Sequence, residues 1–286
     1  MSGIALLLVL LGAVSHAGWN LAAKSGSGSG VAFVWFASLI SAVAVTPFAV
    51  AALINGQPLG WQLLLGGGVS GLLHAGYFLL LQQAYRLGDV SMVYPLARGT
   101  GPLLTMIISI AVLGERPSPV SLTGALVVIA GVAVIGFFGG RGVQLAPGAV
   151  GFGLTTGVAI ACYTLWDSYS VTRLAISPMV QSWLSSLVVV IILLPWALRV
   201  RGALRSTITR HTRSALIVGI GSPLAYISIM YAMRLAPTAL VAPGREVSVV
   251  LVGLAGWLLL HEPNPRPRLI GAAVVLVGIV LIAVGG

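Results

Sequence analysis

The sequence predicts an all-α membrane protein of ten transmembrane helices, arranged as two inverted five-helix repeats. Composition, the spacing of apolar segments and an internal repeat each point there. Of 286 residues, 58% are hydrophobic and only 7% charged, against about 25% charged in a soluble domain. So few charges cannot cover a particle of this size in water, whereas a protein solvated by lipid needs no more. A helix crosses the hydrocarbon core with roughly 20 apolar residues, so the chain holds about ten spans and no separate soluble domain.

The spans follow one another with little between them. The first, 2–23, starts as a signal peptide does. It lacks a cationic leading region and stays apolar through Trp19 to Ala23, so it reads as a retained helix. Ser25 to Gly30 end it and open the second, 30–53. Asn55 to Gly60 precede the third, 60–86, and Gly88-Asp89 the fourth, 90–114. Glu115 to Pro119 lead into the fifth, 118–138, and Gly139 to Pro147 into the sixth, 148–173. Ser177-Pro178 open the seventh, 178–199, and a loop with five arginines, Arg199 to Arg213, separates it from the eighth, 212–235. Pro237 introduces the ninth, 238–260, and His261 to Pro267 the tenth, 267–285. None of these breaks is long enough to fold alone.

The 37 glycines include four-residue pairs such as Gly67 with Gly71 and Gly153 with Gly157, which let helix backbones approach closely in lipid. Displacing the chain on itself by about 147 residues superimposes landmarks in both halves. Trp19-Asn20 falls on Trp166-Asp167. Ala84, Arg86, Leu87 and Pro95 fall on Ala232, Arg234, Leu235 and Pro243, and Arg98, Glu115, Gly124 and Gly131 fall on Arg245, Glu262, Gly271 and Gly278. The halves are 1–140 and 148–286. Each holds five spans, an odd number, so the second half starts from the opposite side of the membrane and the repeat is inverted. Exchange of conformation between two such halves turns an outward-open protein into an inward-open one, which is a common construction of secondary transporters.

Each half closes with a glutamate after its fourth span, in Leu113-Gly114-Glu115-Arg116 and Leu260-His261-Glu262-Pro263, followed by a fifth span with spaced glycines. In these features the whole chain resembles the EamA-type transporters of the drug/metabolite transporter superfamily. The resemblance implies ten helices around a central cavity and transport of small metabolites, often amino acids or related compounds, usually as export. The expected cargo is an amino acid or another small organic anion or zwitterion, the expected coupling is to protons, and the expected location is a bacterial inner membrane.

Ionisable groups inside spans are functional candidates, because burying them in lipid costs several kcal/mol each. Arg98 lies about eight residues into span four, and Arg245 is its repeat mate in span nine. Pro95, Gly99, Gly101 and Pro102 surround the first, and Pro243-Gly244 precede the second. Matching breaks of this kind point to a binding site, since unwound backbone is tolerated where it lines a cavity. The planar donor fork of arginine suits a carboxylate or phosphate. Arg98 has Tyr94 one turn before it and no acid nearby in sequence, so it is expected to be the stronger substrate contact. Glu246 follows Arg245 but points about 100° away on a helix, so the two are not expected to pair. The structural alternative is that Arg98 pairs with Glu246 across the bundle and fixes register.

Spans one and six carry matching polar stripes: His16, Trp19, Asn20 and Ala23, and Tyr163, Trp166, Asp167 and Ser170. Trp19, Trp166, Tyr94, Tyr226 and His74 join the arginines as expected substrate contacts, although tryptophans commonly anchor at the interface. Asp167 and Glu246 are the expected proton carriers. The alternative for Asp167 is snorkelling, or a pair with Arg173. Glu115 and Glu262 read as capping charges.

No nucleotide-binding glycine loop, zinc-ligand spacing or Ser/His/Asp set stands in a credible context, so no cofactor, metal or catalytic group is expected. The net charge of +10 accompanies no aromatic-laced basic face, which argues for lipid headgroups and against nucleic acid. The single Cys162 reads as a small core residue. The expected partners are a small-molecule substrate, the bilayer and a second copy in a homodimer. The rivals are a flippase for a lipid-linked amphiphile and, from another class, a membrane-embedded enzyme or sensory subunit. The end of the bundle that carries the connection between the first two spans collects ten cations, five of them in the arginine loop, against three at the other end. The charge count therefore places that loop in the cytoplasm, with both termini outside, whereas the resemblance implies termini inside.

Overall fold

A computed structural model describes residues 1–23, 30–87, 90–139, 147–260 and 265–285, without the side chains of 82, 85–87, 90–95, 136, 137, 139, 147, 149, 256–260 and 265. The described residues form twelve helices: α1 (Gly3–Ala23), α2 (Gly30–Ile54), α3 (Trp61–Leu87), α4 (Val90–Ala111), α5 (Pro119–Gly139), α6 (Pro147–Thr172), α7 (Pro178–Arg199), α8 (Arg201–Arg210), α9 (Thr212–Leu235), α10 (Thr238–Gly244), α11 (Val247–Leu260) and α12 (Pro265–Val284). A helix occupies each of the ten apolar segments. Seven stretches are long and apolar enough by themselves to cross a bilayer. The apolar parts of α4 and α5 are shorter, Leu96–Ala111 and Pro119–Ile135, and α6 carries Tyr163, Thr164, Asp167, Ser168 and Ser170 in its second half.

Two elements differ from expectation. The arginine loop is largely a helix, α8, in which Leu204 and Ile208 fall on one stripe while Arg201, Arg205 and Arg210 are exposed. Such a pattern suits a helix lying at the membrane surface. The breaks in spans four and nine are not equivalent either. α4 runs without interruption through Pro95 and Pro102, whereas the ninth segment divides into α10 and α11 at Arg245-Glu246. Even there the chain tightens instead of unwinding. The amides of Glu246, Ser248 and Val249 donate to carbonyls three residues back, those of Pro243, Arg245 and Glu246. Pro243, with no amide hydrogen of its own, favours the change of pattern.

Helix contacts come in repeat-related pairs. α1 packs on α9 as α6 packs on α3; α4 packs on α6 as α11 packs on α1; and α3 packs on α7 as α9 packs on α2. The α2–α7 and α5–α12 contacts are their own mates. Each half thus finds most of its partners in the other. The α5–α12 contact shows why the repeated glycines recur: a Cβ on Gly124 would lie 2.6 Å from the Gly278 carbonyl oxygen, and one on Gly278 2.7 Å from that of Gly124. Gly131 and Gly271 oppose each other in the same way, at 2.9 and 2.8 Å. Gly67 and Gly71 similarly admit Leu184 and Val188 of α7, and Gly157 admits Thr100 of α4.

Candidate functional site

The bundle encloses a cavity of about 150 Å³ beside a second of about 260 Å³. His16, Trp19, Tyr77 and Arg98 contribute to the walls of both. The second extends to Ala23, the last residue of α1, and Gly30, the first of α2. α9 runs antiparallel to α1, with Gly12 against Ala225 and Trp19 against Gly221, so the start of α9 and the arginine-rich α8 lie at that same end. The space therefore leads towards the basic end of the bundle.

At the opposite end the helices are tied to one another. Both Glu115 carboxylate oxygens accept from backbone amides, those of Thr238 and Ala239, at 2.8 Å each. These are the first two amides of α10, which no residue of that helix can satisfy, so Glu115 acts as their cap, supplied from the connection between α4 and α5. Arg234 donates through Nε to the Val171 carbonyl at 2.9 Å and through Nη2 to that of Ile176 at 2.8 Å. The Ser177 amide donates to Gln57 Oε1 at 2.6 Å. Glu262, the repeat mate of Glu115, lies outside the described residues.

Arg98 and Arg245 meet at the cavity wall, and the residue that joins them is Glu246. Glu246 Oε2 lies 3.0 Å from Arg98 Nε and Oε1 lies 3.3 Å from Arg245 Nε. Its side chain is 0% exposed, against 7% and 6% for the two arginines. This corrects one expectation and agrees with one alternative. Glu246 pairs with its neighbour because the tightened turn and the long arginine chain bring together groups that a regular helix would hold about 100° apart. Arg98 pairs with Glu246 across the bundle, as the structural alternative had it, from the junction of α10 and α11, 148 positions on in the chain.

The two arginines differ in their hydrogen bonds. Arg98 donates from Nη2 to Ser248 Oγ at 3.0 Å and lies 3.2 Å from His16 Nε2. Arg245 Nη2 is buried, with no hydrogen-bond partner among the described residues.

Asp167 neither snorkels nor pairs with Arg173, which is exposed. It is fully buried, and its carboxylate accepts from Tyr226 Oη at 2.6 Å and Gln181 Nε2 at 2.8 Å. Gln181 also donates to the Gly66 carbonyl at 3.1 Å. Tyr226 and Gln181 line the cavity, so one layer of side chains separates Asp167 from it. Sequence reasoning missed Gln181, although an amide four residues into an apolar span is itself a signal.

His74 is anchored on its own helix, with Nδ1 2.9 Å from the Ser70 carbonyl. Its ring packs on Tyr163 at 4.2 Å and on Tyr226 at 5.4 Å between centroids. Trp19 is no interfacial anchor: it stacks on His16 at 4.7 Å within the cavity wall. Trp166 does not join the site, since its Nε1 donates to the Gly66 carbonyl at 2.9 Å and it lines neither cavity. Cys162 is exposed on the outer face of α6, and not a core residue. The side chain of Tyr94 lies outside the described residues.

Comparison with known proteins agrees with this architecture. The chain matches no curated protein. Of 29 matching chains of solved structures, one described only as a crystal structure of protein shares 17% identity with a TM-score of 0.75, over 99% of this chain and 98% of the other. At that identity the likeness concerns the fold. The model of the EamA-like transporter family matches twice, at residues 3–137 and 148–284, one match to each half. The chain is an integral membrane protein that belongs to the EamA-like transporter family.

Proposed function

We propose that this protein is a secondary transporter that moves a small organic anion or zwitterion, such as an amino acid, by alternating access and in the direction of export. In this reading ten spans form two inverted halves, 1–140 and 148–286. The basic end is cytoplasmic, and the conformation described is open to the cytoplasm and tied shut at the other end by Glu115, Arg234 and Gln57.

The observation that carries the reading is the pair of guanidinium groups, Arg98 and Arg245, at the wall of a cavity inside the bundle. With Glu246 between them they keep one net positive charge, and a carboxylate is the acceptor to which guanidinium groups bond most strongly. Trp19, His74 and Tyr226 supply aromatic surface for the rest of the cargo. Asp167 is the proton carrier in this reading. Its partners are two neutral donors, Tyr226 and Gln181, both of which line the cavity.

Purified protein in liposomes tests this by flux of labelled amino acids and small carboxylates, with and without an imposed proton gradient. Export coupled to protons predicts that an inward-acidified gradient accelerates flux of at least one solute, recovered chemically unchanged. A preparation that moves none of them ends the reading. Recovery of a chemically altered solute would indicate a membrane-embedded enzyme.

A further inference from the structure

The anion site proposed above contains a feature that an anion site does not need for affinity: a carboxylate of its own. Two guanidinium groups stand at the cavity wall, and the fully buried Glu246 lies between them with one oxygen on each. The three groups together carry one positive charge. The remaining polar side chains of the wall are neutral hydroxyls and an amide, such as Ser41, Ser185, Ser222 and Gln181, together with His16 and His74. We infer that Glu246 is a resident counter-anion that sets the charge selectivity of the site, limiting the cargo to at most one net negative charge.

The argument is electrostatic and rests on the anion-site reading of Arg245. A monoanion on Arg245 brings the cluster to neutrality. A dianion leaves one uncompensated negative charge in a largely desolvated cavity, where the penalty is far greater than in water. Glu246 cannot relieve this by turning to solvent, since it is 0% exposed and both oxygens face arginines. Ionised Asp167, behind Tyr226 and Gln181, lowers the limit further, towards a zwitterion, and never raises it. Glu246 acts on the cargo through the arginines, so its signature is a change in preference between charges and not a uniform loss of affinity.

The test measures binding to the purified full-length protein by titration calorimetry, using probe pairs that differ by one carboxylate: lactate against malate, and benzoate against phthalate. Wild type is expected to prefer the monoanion of each pair by about tenfold or more. Glu246→Gln, which keeps the shape and raises the cluster charge by one, should erase that preference mainly by tightening the dianion. Arg98→Gln with Glu246→Gln returns the cluster to one positive charge and should restore the preference, which separates charge selection from damage to folding. Arg245→Gln should abolish binding of all four probes. If the probes bind through Arg245 but the mono- to dianion ratio is the same in wild type and Glu246→Gln, this inference is overturned and the anion site stands. If no probe binds wild type, or Arg245→Gln changes nothing, the anion site itself is overturned and the inference goes with it.

Discussion

Replacing Arg245 by lysine keeps its charge and removes the planar fork, including the nitrogen that has no partner among the described residues. The expected result is weaker cargo binding by roughly 1–3 kcal/mol, with a fall in melting temperature no larger than the lost Nε contact with Glu246 causes. Arg98→Lys should do the reverse. It gives up the contacts of Nη2 with Ser248 and His16, so thermal stability falls while affinity in the surviving folded fraction stays within a few-fold. Thermal unfolding and calorimetry on both variants check the pair together. Asp167→Asn retains an acceptor for Tyr226 and cannot titrate, and its flux should no longer respond to a proton gradient in the liposome assay. That the two arginines stand together at a cavity was legible in the sequence, because charge inside an apolar segment needs a reason. Their contacts were not. They depend on Glu246 and Ser248, which approach Arg98 from the α10–α11 segment about 150 residues further on, and no local pattern reports that distance.

At the scale of single helices, the α5–α12 contact brings backbone against backbone and leaves no room for added volume. Gly124→Val would place a branched side chain where even a Cβ meets backbone at 2.6 Å, so the two helices must separate. A loss of at least about 1–3 kcal/mol is expected, read as a lower melting temperature. Gly99→Ala, where nothing lies within 4 Å of the added carbon, should leave it unchanged. α8 was hidden in the sequence by its charge: five arginines in fifteen residues read as a loop, although Leu204 and Ile208 keep helical spacing. The spans themselves were legible to within a few residues, since apolar length and Gly or Pro punctuation decide their ends. The asymmetry between continuous α4 and the divided α10–α11 was not, because proline-rich sequence is compatible with either and packing against neighbouring helices decides.

For the molecule as a whole, the charge asymmetry between its two ends predicts orientation. With Cys162 replaced by alanine, a cysteine at Ser206 should escape a membrane-impermeant thiol reagent in intact cells and react once the cells are opened. Labelling of intact cells would place α8 outside and reverse the direction assigned to the cavity. The duplication was legible from a constant offset between landmark residues; the interleaving of the halves was not, since an offset says which residues correspond and nothing of which ones touch. That interleaving bears on how the protein is made. At about 5–20 residues per second, the second half of roughly 140 residues takes about 7 to 30 seconds to emerge. Throughout that interval the finished first half waits in the bilayer without α7, α9 and α12. The glycine face of α5 is then open to any passing helix, including α5 of another nascent chain. Yield in a cell should therefore be governed by a race between elongation and mispairing: slow codons placed within 148–286 should lower the amount of correctly assembled protein, and the same codons placed before residue 100 should not.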